Sequence, residues 1–289
     1  MPTVLVTGAA GSVGRELVNL LSSRGIAVRA FDLASCDFSP FQGLPQVSIW
    51  PCDITDALGV AEAVAGVDSI VHLAALLPPA SERDRSRTFL INVAGTQNLI
   101  AATQISHTRP HLIFASSVST YGDTSKDTPP ISTQHSQSPL DIYAESKIAG
   151  EGAVLASGLP YTILRIAGIS VPLVLEPPPV WPFQIDQRIE FVSRHDVVVA
   201  LAASVGNREA VNKVFNIAGG PSWQMRGQEY VESQYKLLDI PPEEARYADA
   251  PGWFDWYDTT EAQAALNYQQ TSYDQFLAQL QQAIEEEFA

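Results

Sequence analysis

The chain has 289 residues, 46% of them hydrophobic, and a formal net charge of −15. That length allows one large α/β domain or a domain with a smaller appendage, and the charge argues against nucleic acid and anionic membrane surfaces as partners. No apolar run reaches the roughly 18 residues of a membrane span, Met1-Pro2-Thr3 carries no basic leader, and two cysteines with five scattered histidines predict no metal centre and a reducing, cytoplasmic setting.

The first strand, Val4-Leu-Val-Thr7, is β-branched and aliphatic, and it ends in glycines spaced as Gly8, Gly11 and Gly14. Such glycines allow a tight turn and close approach of the backbone to a pyrophosphate. The helix after them aims free N–H groups and its positive dipole end at the same anion. Val13, Leu17, Leu20 and Leu21 fall at helical spacing over residues 12–24, and Gly25 stops that helix. The apolar run 26–31 then ends in Asp32, 24 residues after Gly8. An acid at the tip of the second strand accepts hydrogen bonds from both hydroxyls of an adenosine ribose and repels a 2′-phosphate, so Asp32 favours NAD over NADP. Arg29 points the other way, since a nearby arginine can serve a 2′-phosphate.

A third strand spans 47–50 and runs into Cys52-Asp53-Ile54, residues 56–65 read as a helix, and 68–75 read as a fourth strand ending in small residues. Apolar strands alternating with helices predict a Rossmann-like, doubly wound parallel sheet. The loop 78–87 carries Arg83, Arg85 and Arg87 beyond a strand's carboxyl end. An anionic substrate group and an ordinary solvated loop are its two readings. Residues 88–103 read as a long amphipathic helix and 111–117 as a fifth strand ending in hydroxyls. After a Pro/Ser/Thr-rich loop, 123–139, the next helix begins at Asp141.

On that helix Tyr143 and Lys147 are four residues apart, so they share a face. A phenol is a poor base near neutral pH, and an adjacent ammonium favours the phenolate, making proton transfer with a substrate hydroxyl feasible. Ser117, at a strand's carboxyl end, can hydrogen-bond the same oxygen.

These pieces, in this order and spacing, resemble the extended short-chain dehydrogenases/reductases of the NAD-dependent epimerase/dehydratase family. The matching residues are Thr7 to Gly14, Asp32, Asp53-Ile54, His72-Leu-Ala-Ala75, Asn92-Val-Ala-Gly-Thr96, Ser116-Ser117 through Tyr121-Gly122, Tyr143-Ala-Glu-Ser-Lys147 and Leu164-Arg165. Weaker likeness continues through Asp196-Val-Val, Phe215-Asn-Ile-Ala-Gly219, and Asp258-Thr-Thr followed by Leu266-Asn-Tyr268. The resemblance implies that the pyrophosphate lies on Gly8, Gly11, Ser12, Val13 and Gly14, and the adenosine ribose on Asp32. It puts adenine against Asp53 and Ile54, and brings Leu73, Ala74, Ala75 and Asn92 to the cofactor. Tyr143 and Lys147 take the nicotinamide ribose, with Ser117 and Tyr143 on the reacting oxygen. It also implies a homodimer, formed by the helices 88–103 and 141–155 of two copies.

The departures are informative. Dehydratases of this group follow the catalytic hydroxyl with an Asp-Glu pair, whereas this chain has Val118-Ser119. An asparagine that helps hold a substrate diphosphate is absent from Arg165-Ile-Ala-Gly168, and the stretch 170–190, with Glu176-Pro-Pro-Pro179 inside it, is short. These changes turn the expectation from a sugar nucleotide towards a smaller substrate, such as a sugar acid or another secondary alcohol.

The expected organisation is a Rossmann domain over 1–169, with core elements also from 194–219, and a smaller α/β substrate-binding cap over 170–289. A helix at 194–205, a strand at 214–217 and a helix near 227–238 lead to Trp253-Phe-Asp-Trp-Tyr257, which either walls the substrate cleft or packs the cap. A last amphipathic helix, 273–288, runs through Phe276, Leu277, Leu280 and Ile284. Residues 226–289 hold 13 acidic and 3 basic side chains, so the acidity is mostly C-terminal. Arg83, Arg165, Trp253 and Ser117 are the substrate-contact candidates. The expected activity is NAD-dependent hydride transfer on a secondary alcohol or ketone of a sugar or sugar-acid-like substrate. An epimerase that retains its NAD uses the same residues, and a non-catalytic NAD-binding regulator has no need of an activated phenol.

Overall fold

The computed structural model describes residues 2–287. Strands β1 (Thr3–Thr7), β2 (Ala27–Asp32), β3 (Val47–Pro51), β4 (Ser69–His72), β5 (His111–Ser117), β6 (Tyr161–Ile166) and β9 (Lys213–Ile217) form one seven-stranded sheet in the order β3-β2-β1-β4-β5-β6-β9. Val4 pairs with Val28 on one side and Ser69 on the other, both parallel, so the strand order reverses beside β1. Ligands of doubly wound sheets bind at that reversal, beyond the carboxyl ends of the strands.

The chain divides into two compact units. The first comprises residues 1–117, 141–165 and 198–215 and is built on the large sheet. Its helices include α1 (Ser12–Ser23), α2 (Ala57–Val64), α3 (Arg85–Phe89), α4 (Gly95–Ile105) and α5 (Ile142–Ala156). Leu5, Ile70, Leu112 and Phe114 of the sheet pack with Val60 and Val64 of α2, Leu99 of α4 and Val154 of α5 in one core. Burying these aliphatic groups is the main favourable term in folding. Helix α6 (Arg194–Ser204) ends in this unit.

The second unit comprises residues 118–140, 166–197 and 216–289. It holds a three-stranded sheet ordered β10-β8-β7, from β7 (Gly168–Ser170), β8 (Arg188–Ser193) and β10 (Gln224–Arg226), with α7 (Gly227–Leu237), α8 (Thr260–Leu266) and α9 (Tyr273–Glu287). Its core is aromatic: Phe183, Trp223, Tyr230, Phe254 and Phe276 bury together, with Leu280 of α9 against them. The mixed pairing of short strands leaves no long apolar run, which is why the periodicity of 166–193 gave little sign of β7 and β8. No helix among the described residues is long and apolar enough to cross a membrane.

Most element bounds fall within two residues of those expected. The helix expected over 88–103 is broken: α3 gives way to a π-helical turn, Leu90–Ala94, before α4 begins. Strand β4 stops at His72, so Leu73, Ala74 and Ala75 belong to the loop after it. Phe288, expected in the last helix, lies outside the described residues.

Candidate active site

The cofactor-binding candidates all lie in the first unit. Gly8 has φ +71°, and the Gly11 amide donates to its carbonyl at 3.2 Å, closing the turn between β1 and α1. A Cβ on Gly8 would come within 2.8 Å of the Ala74 amide nitrogen, and one on Gly14 within 2.2 Å of the Gly8 carbonyl oxygen. Side chains there would fill the cradle with backbone clashes, so both positions demand glycine. Gly11 caps α1 with no side-chain acceptor, and Gly11 and Ser12 are exposed with Val13 half-buried, which leaves a helix start fit for an anion.

Asp32 faces this turn. Its carboxylate accepts from the Ala10 and Leu33 amides, each at 2.9 Å, which sets it beside the glycine loop. Arg29 is drawn away: its guanidinium donates to the Ala63 and Ala65 carbonyls at 2.7 Å and lies 5.1 Å from the centre of the Trp50 ring. The contrary sign from Arg29 therefore falls away. Asp53 is exposed and accepts from the Thr55 amide and hydroxyl, while the Ile54 side chain is buried. This turn, with its glycines, acid and open helix start, fits a dinucleotide pyrophosphate and ribose.

A buried polar network supports the loop after β4. Thr96 donates its hydroxyl proton to the Asn92 carbonyl at 2.6 Å, so towards His72 Nε2, 3.0 Å away, it acts as acceptor. Nε2 thus carries the ring proton, and Nδ1 accepts from Thr7 at 2.7 Å. Burial, with the Lys147 charge nearby, lowers the His72 pKa to about 3, so the ring is neutral. Thr7 in turn accepts from the Ala74 amide at 3.3 Å. Asn92 brackets Leu76, accepting from its amide at 2.7 Å and donating to its carbonyl at 3.1 Å. It also donates to Ser146 at 2.9 Å, and Ser146 donates to the Tyr143 carbonyl at 2.7 Å. The cofactor-side loop and α5 are thereby joined through one asparagine, whose part the residue pattern alone did not describe.

Helix α5 is pinned at its start. Asp141 accepts from the Ala144 amide at 2.7 Å, and Glu82 accepts from the Ile142 and Tyr143 amides at 2.9 and 3.1 Å. Arg85 pairs with Glu145 on the same helix at 2.8 Å. The arginine loop thus includes a docking piece for α5, while Arg83 and Arg87 are exposed.

Tyr143 and Lys147 share a face of α5 as their spacing requires, the ammonium lying 5.5 Å from the centre of the Tyr143 ring. Lys147 is buried and donates to the Ala115 carbonyl at 2.8 Å, two residues before Ser117 at the end of β5. Burial lowers the Lys147 pKa to about 8, against the favourable charge of Glu151. The Tyr143 phenol is pushed above its ordinary value, first by burial and then by Asp141. The expected lowering of the phenol by Lys147 is not found here, because desolvation outweighs an ammonium aimed at a strand carbonyl. The shift favours the protonated phenol.

The other substrate candidates are dispersed. Arg165 is 6% exposed, and its guanidinium pairs with Glu151 at 2.7 Å. Trp253 lies in the second unit, stacked on Phe254 at 3.9 Å between ring centres. Phe254 and Tyr257 of the same cluster are buried.

The family model for the NAD-dependent epimerase/dehydratase family matches residues 4–173. A 3-beta-hydroxysteroid dehydrogenase of Mycolicibacterium neoaurum is 37% identical over 161 residues, 53% of this chain and 42% of that protein. A 3 beta-hydroxysteroid dehydrogenase/Delta 5-->4-isomerase of Mycobacterium tuberculosis is also 37% identical, over 57% of this chain and 46% of its own length. The match therefore spans less than half of each of these relatives. Among solved structures, MoeE5 in complex with UDP-glucuronic acid and NAD is 25% identical with a TM-score of 0.82, covering 99% of both chains. The UDP-glucose 4-epimerase of Thermotoga maritima, 20% identical, covers 99% of this chain and 100% of its own at a TM-score of 0.83, and shares the fold. With its dinucleotide turn, its Asp32 and its Tyr143–Lys147 helix, the chain belongs to the NAD-dependent epimerase/dehydratase family, whose cofactor is NAD.

Proposed function

We propose that this protein is an oxidoreductase that moves a hydride to or from a secondary alcohol or ketone of a small sugar-like or sugar-acid-like substrate. The observation that carries the reading is the Tyr143–Lys147 face of α5, tied by Lys147 to the strand end that bears Ser117. NAD, when bound, supplies the hydride acceptor or donor that no side chain offers. Tyr143 exchanges a proton with the substrate oxygen, and Ser117 hydrogen-bonds that oxygen and orients it. Lys147 holds its positive charge near the phenol and favours the phenolate, which takes the hydroxyl proton in alcohol oxidation and is left behind when the phenol donates in ketone reduction. Burial favours the protonated Tyr143, the form that donates when a ketone is reduced.

Val118 and Ser119, where dehydratases carry acid and base, favour simple hydride transfer over water loss. The 37% identity to proteins named 3-beta-hydroxysteroid dehydrogenases supports net oxidation or reduction over epimerisation, and brings alicyclic alcohols into the substrate range. Exposed Ile105 at the end of α4 and Leu155 near the end of α5 support pairing of two copies through these helices. Two unlinked cysteines agree with a reducing, cytoplasmic setting. The test is a screen of sugar acids, free sugars, sugar nucleotides and alicyclic alcohols by NADH absorbance, with an assay for NAD retained through purification. Turnover of a secondary alcohol with exchangeable NAD supports the reading. Retained NAD with inversion at a carbinol carbon and no net NADH would replace it with an epimerase.

A further inference from the structure

Beneath Lys147 lies a buried cluster that the proposed chemistry does not use. Glu151 is four residues, about one turn, beyond Lys147 on α5. Its Oε1 accepts from the Ser116 hydroxyl at 2.5 Å and from Arg165 Nε at 3.0 Å, and its Oε2 accepts from Arg165 Nη2 at 2.7 Å. Ser116, Glu151 and Arg165 are 3%, 2% and 6% exposed and come from three elements, β5, α5 and β6.

We propose that Glu151 is a positioning residue: held between Ser116 and Arg165, it fixes the strand end bearing Ser117 and the helix turn bearing Lys147 to one anchor. The proposal rests on the hydride-transfer reading above.

Ser116 sits between Ala115, whose carbonyl holds Lys147, and Ser117. Adjacent side chains of a strand point to opposite faces, so turning Ser116 towards Glu151 turns Ser117 away from it. Apolar packing would join α5 to β5 with less desolvation than a buried ion pair. It would not set the strand's rotation and the helix's height together, as the serine bond and the forked arginine contact do. The titratable or charged groups around Lys147 are Tyr143 and Glu151 on its own helix, His72 of β4, which is neutral, and, through Glu151, Arg165 of β6.

Full-length Ser116→Ala and Glu151→Gln proteins test this against the unaltered chain. The readouts are thermal unfolding, NADH binding by fluorescence, turnover of an alcohol the unaltered protein accepts, and the pH midpoint of Lys147. The last is followed by NMR of ε-13C-lysine, the chain having four lysines. Both variants are expected to unfold cooperatively and bind NADH within a few-fold of normal. Their kcat should fall about 10- to 100-fold through misplacement of the reacting groups. In Glu151→Gln the Lys147 midpoint should also move down, since the carboxylate that favours the ammonium is gone. A folded Glu151→Gln protein with normal kcat overturns the proposal even where the midpoint moves, since loss of the carboxylate charge alone shifts it. Should Glu151→Gln fail to fold, Ser116→Ala decides alone, and a normal kcat overturns it. Should the unaltered protein turn over no alcohol, the hydride-transfer reading fails, and the Lys147 midpoint in Ser116→Ala, which keeps the carboxylate charge, judges the anchor: an unmoved midpoint overturns it.

Discussion

The Lys147 ammonium donates a 2.8 Å hydrogen bond to the Ala115 carbonyl, so the basic residue of α5 is tied to β5 two positions before Ser117. The bond gives a buried cation an acceptor and a fixed place at the carboxyl end of the sheet. The same ammonium lies 5.5 Å from the centre of the Tyr143 ring, and burial is the largest influence on both groups.

Asp32 should set the choice of dinucleotide. Its carboxylate is fixed beside the glycine turn, and Arg29, engaged with Ala63 and Ala65, is unavailable to a 2′-phosphate. Fluorescence titration should find NADH bound at least about tenfold more tightly than NADPH, and Asp32→Ala should shrink that ratio towards unity. Tighter NADPH binding by the unaltered protein would refute this assignment.

Gly14 should tolerate no side chain. A Cβ there meets the Gly8 and Ala9 carbonyl oxygens at 2.2 and 2.7 Å, and both are backbone atoms that cannot rotate aside. Gly14→Ala should cost roughly 1–3 kcal/mol of stability by overpacking and weaken NADH binding more than about tenfold. Denaturant unfolding and titration measure the two effects separately. Normal values for both would mean that the turn is looser than described.

His72 should contribute acid lability. Its folded pKa, about 3, lies below the ordinary 6.5, so between these values the unfolded chain binds a proton that the folded chain refuses. Stability from this group is complete above pH 6.5 and lost as the pH falls towards 3. At pH 5 the loss is roughly 2 kcal/mol relative to pH 7. His72→Gln, though less stable overall, should lose that much less between pH 7 and pH 5 in denaturant titrations. Equal losses would show that His72 is charged in the fold.

The sequence displayed the cofactor half of the site because its determinants are local. Gly8, Gly11 and Gly14 meet a steric demand within one turn, Asp32 ends the next strand, and Tyr143 and Lys147 face one way by helix geometry alone. The remaining determinants depend on contacts across the chain. Glu82 lies in the loop 78–87, where no local pattern marks it, yet it caps α5 some 60 residues later. Arg165 reads from its position as a substrate contact, and nothing in the local pattern marks Glu151, although it repeats the four-residue step from Lys147. Only the fold brings Ser116, Glu151 and Arg165 together. The raised Tyr143 phenol was likewise beyond the residue pattern, since spacing reports proximity but not desolvation.

The central claim is that Tyr143 exchanges the proton that accompanies hydride transfer. Tyr143→Phe removes only the phenolic oxygen and keeps the backbone bonds of this position to Glu82 and Ser146, so fold and NADH binding should persist. With a secondary alcohol or ketone that the unaltered protein turns over, NADH absorbance should show kcat reduced about 10²- to 10⁴-fold, the range for loss of a positioned acid–base group. A folded, NADH-binding Tyr143→Phe protein that keeps normal turnover would contradict the mechanism.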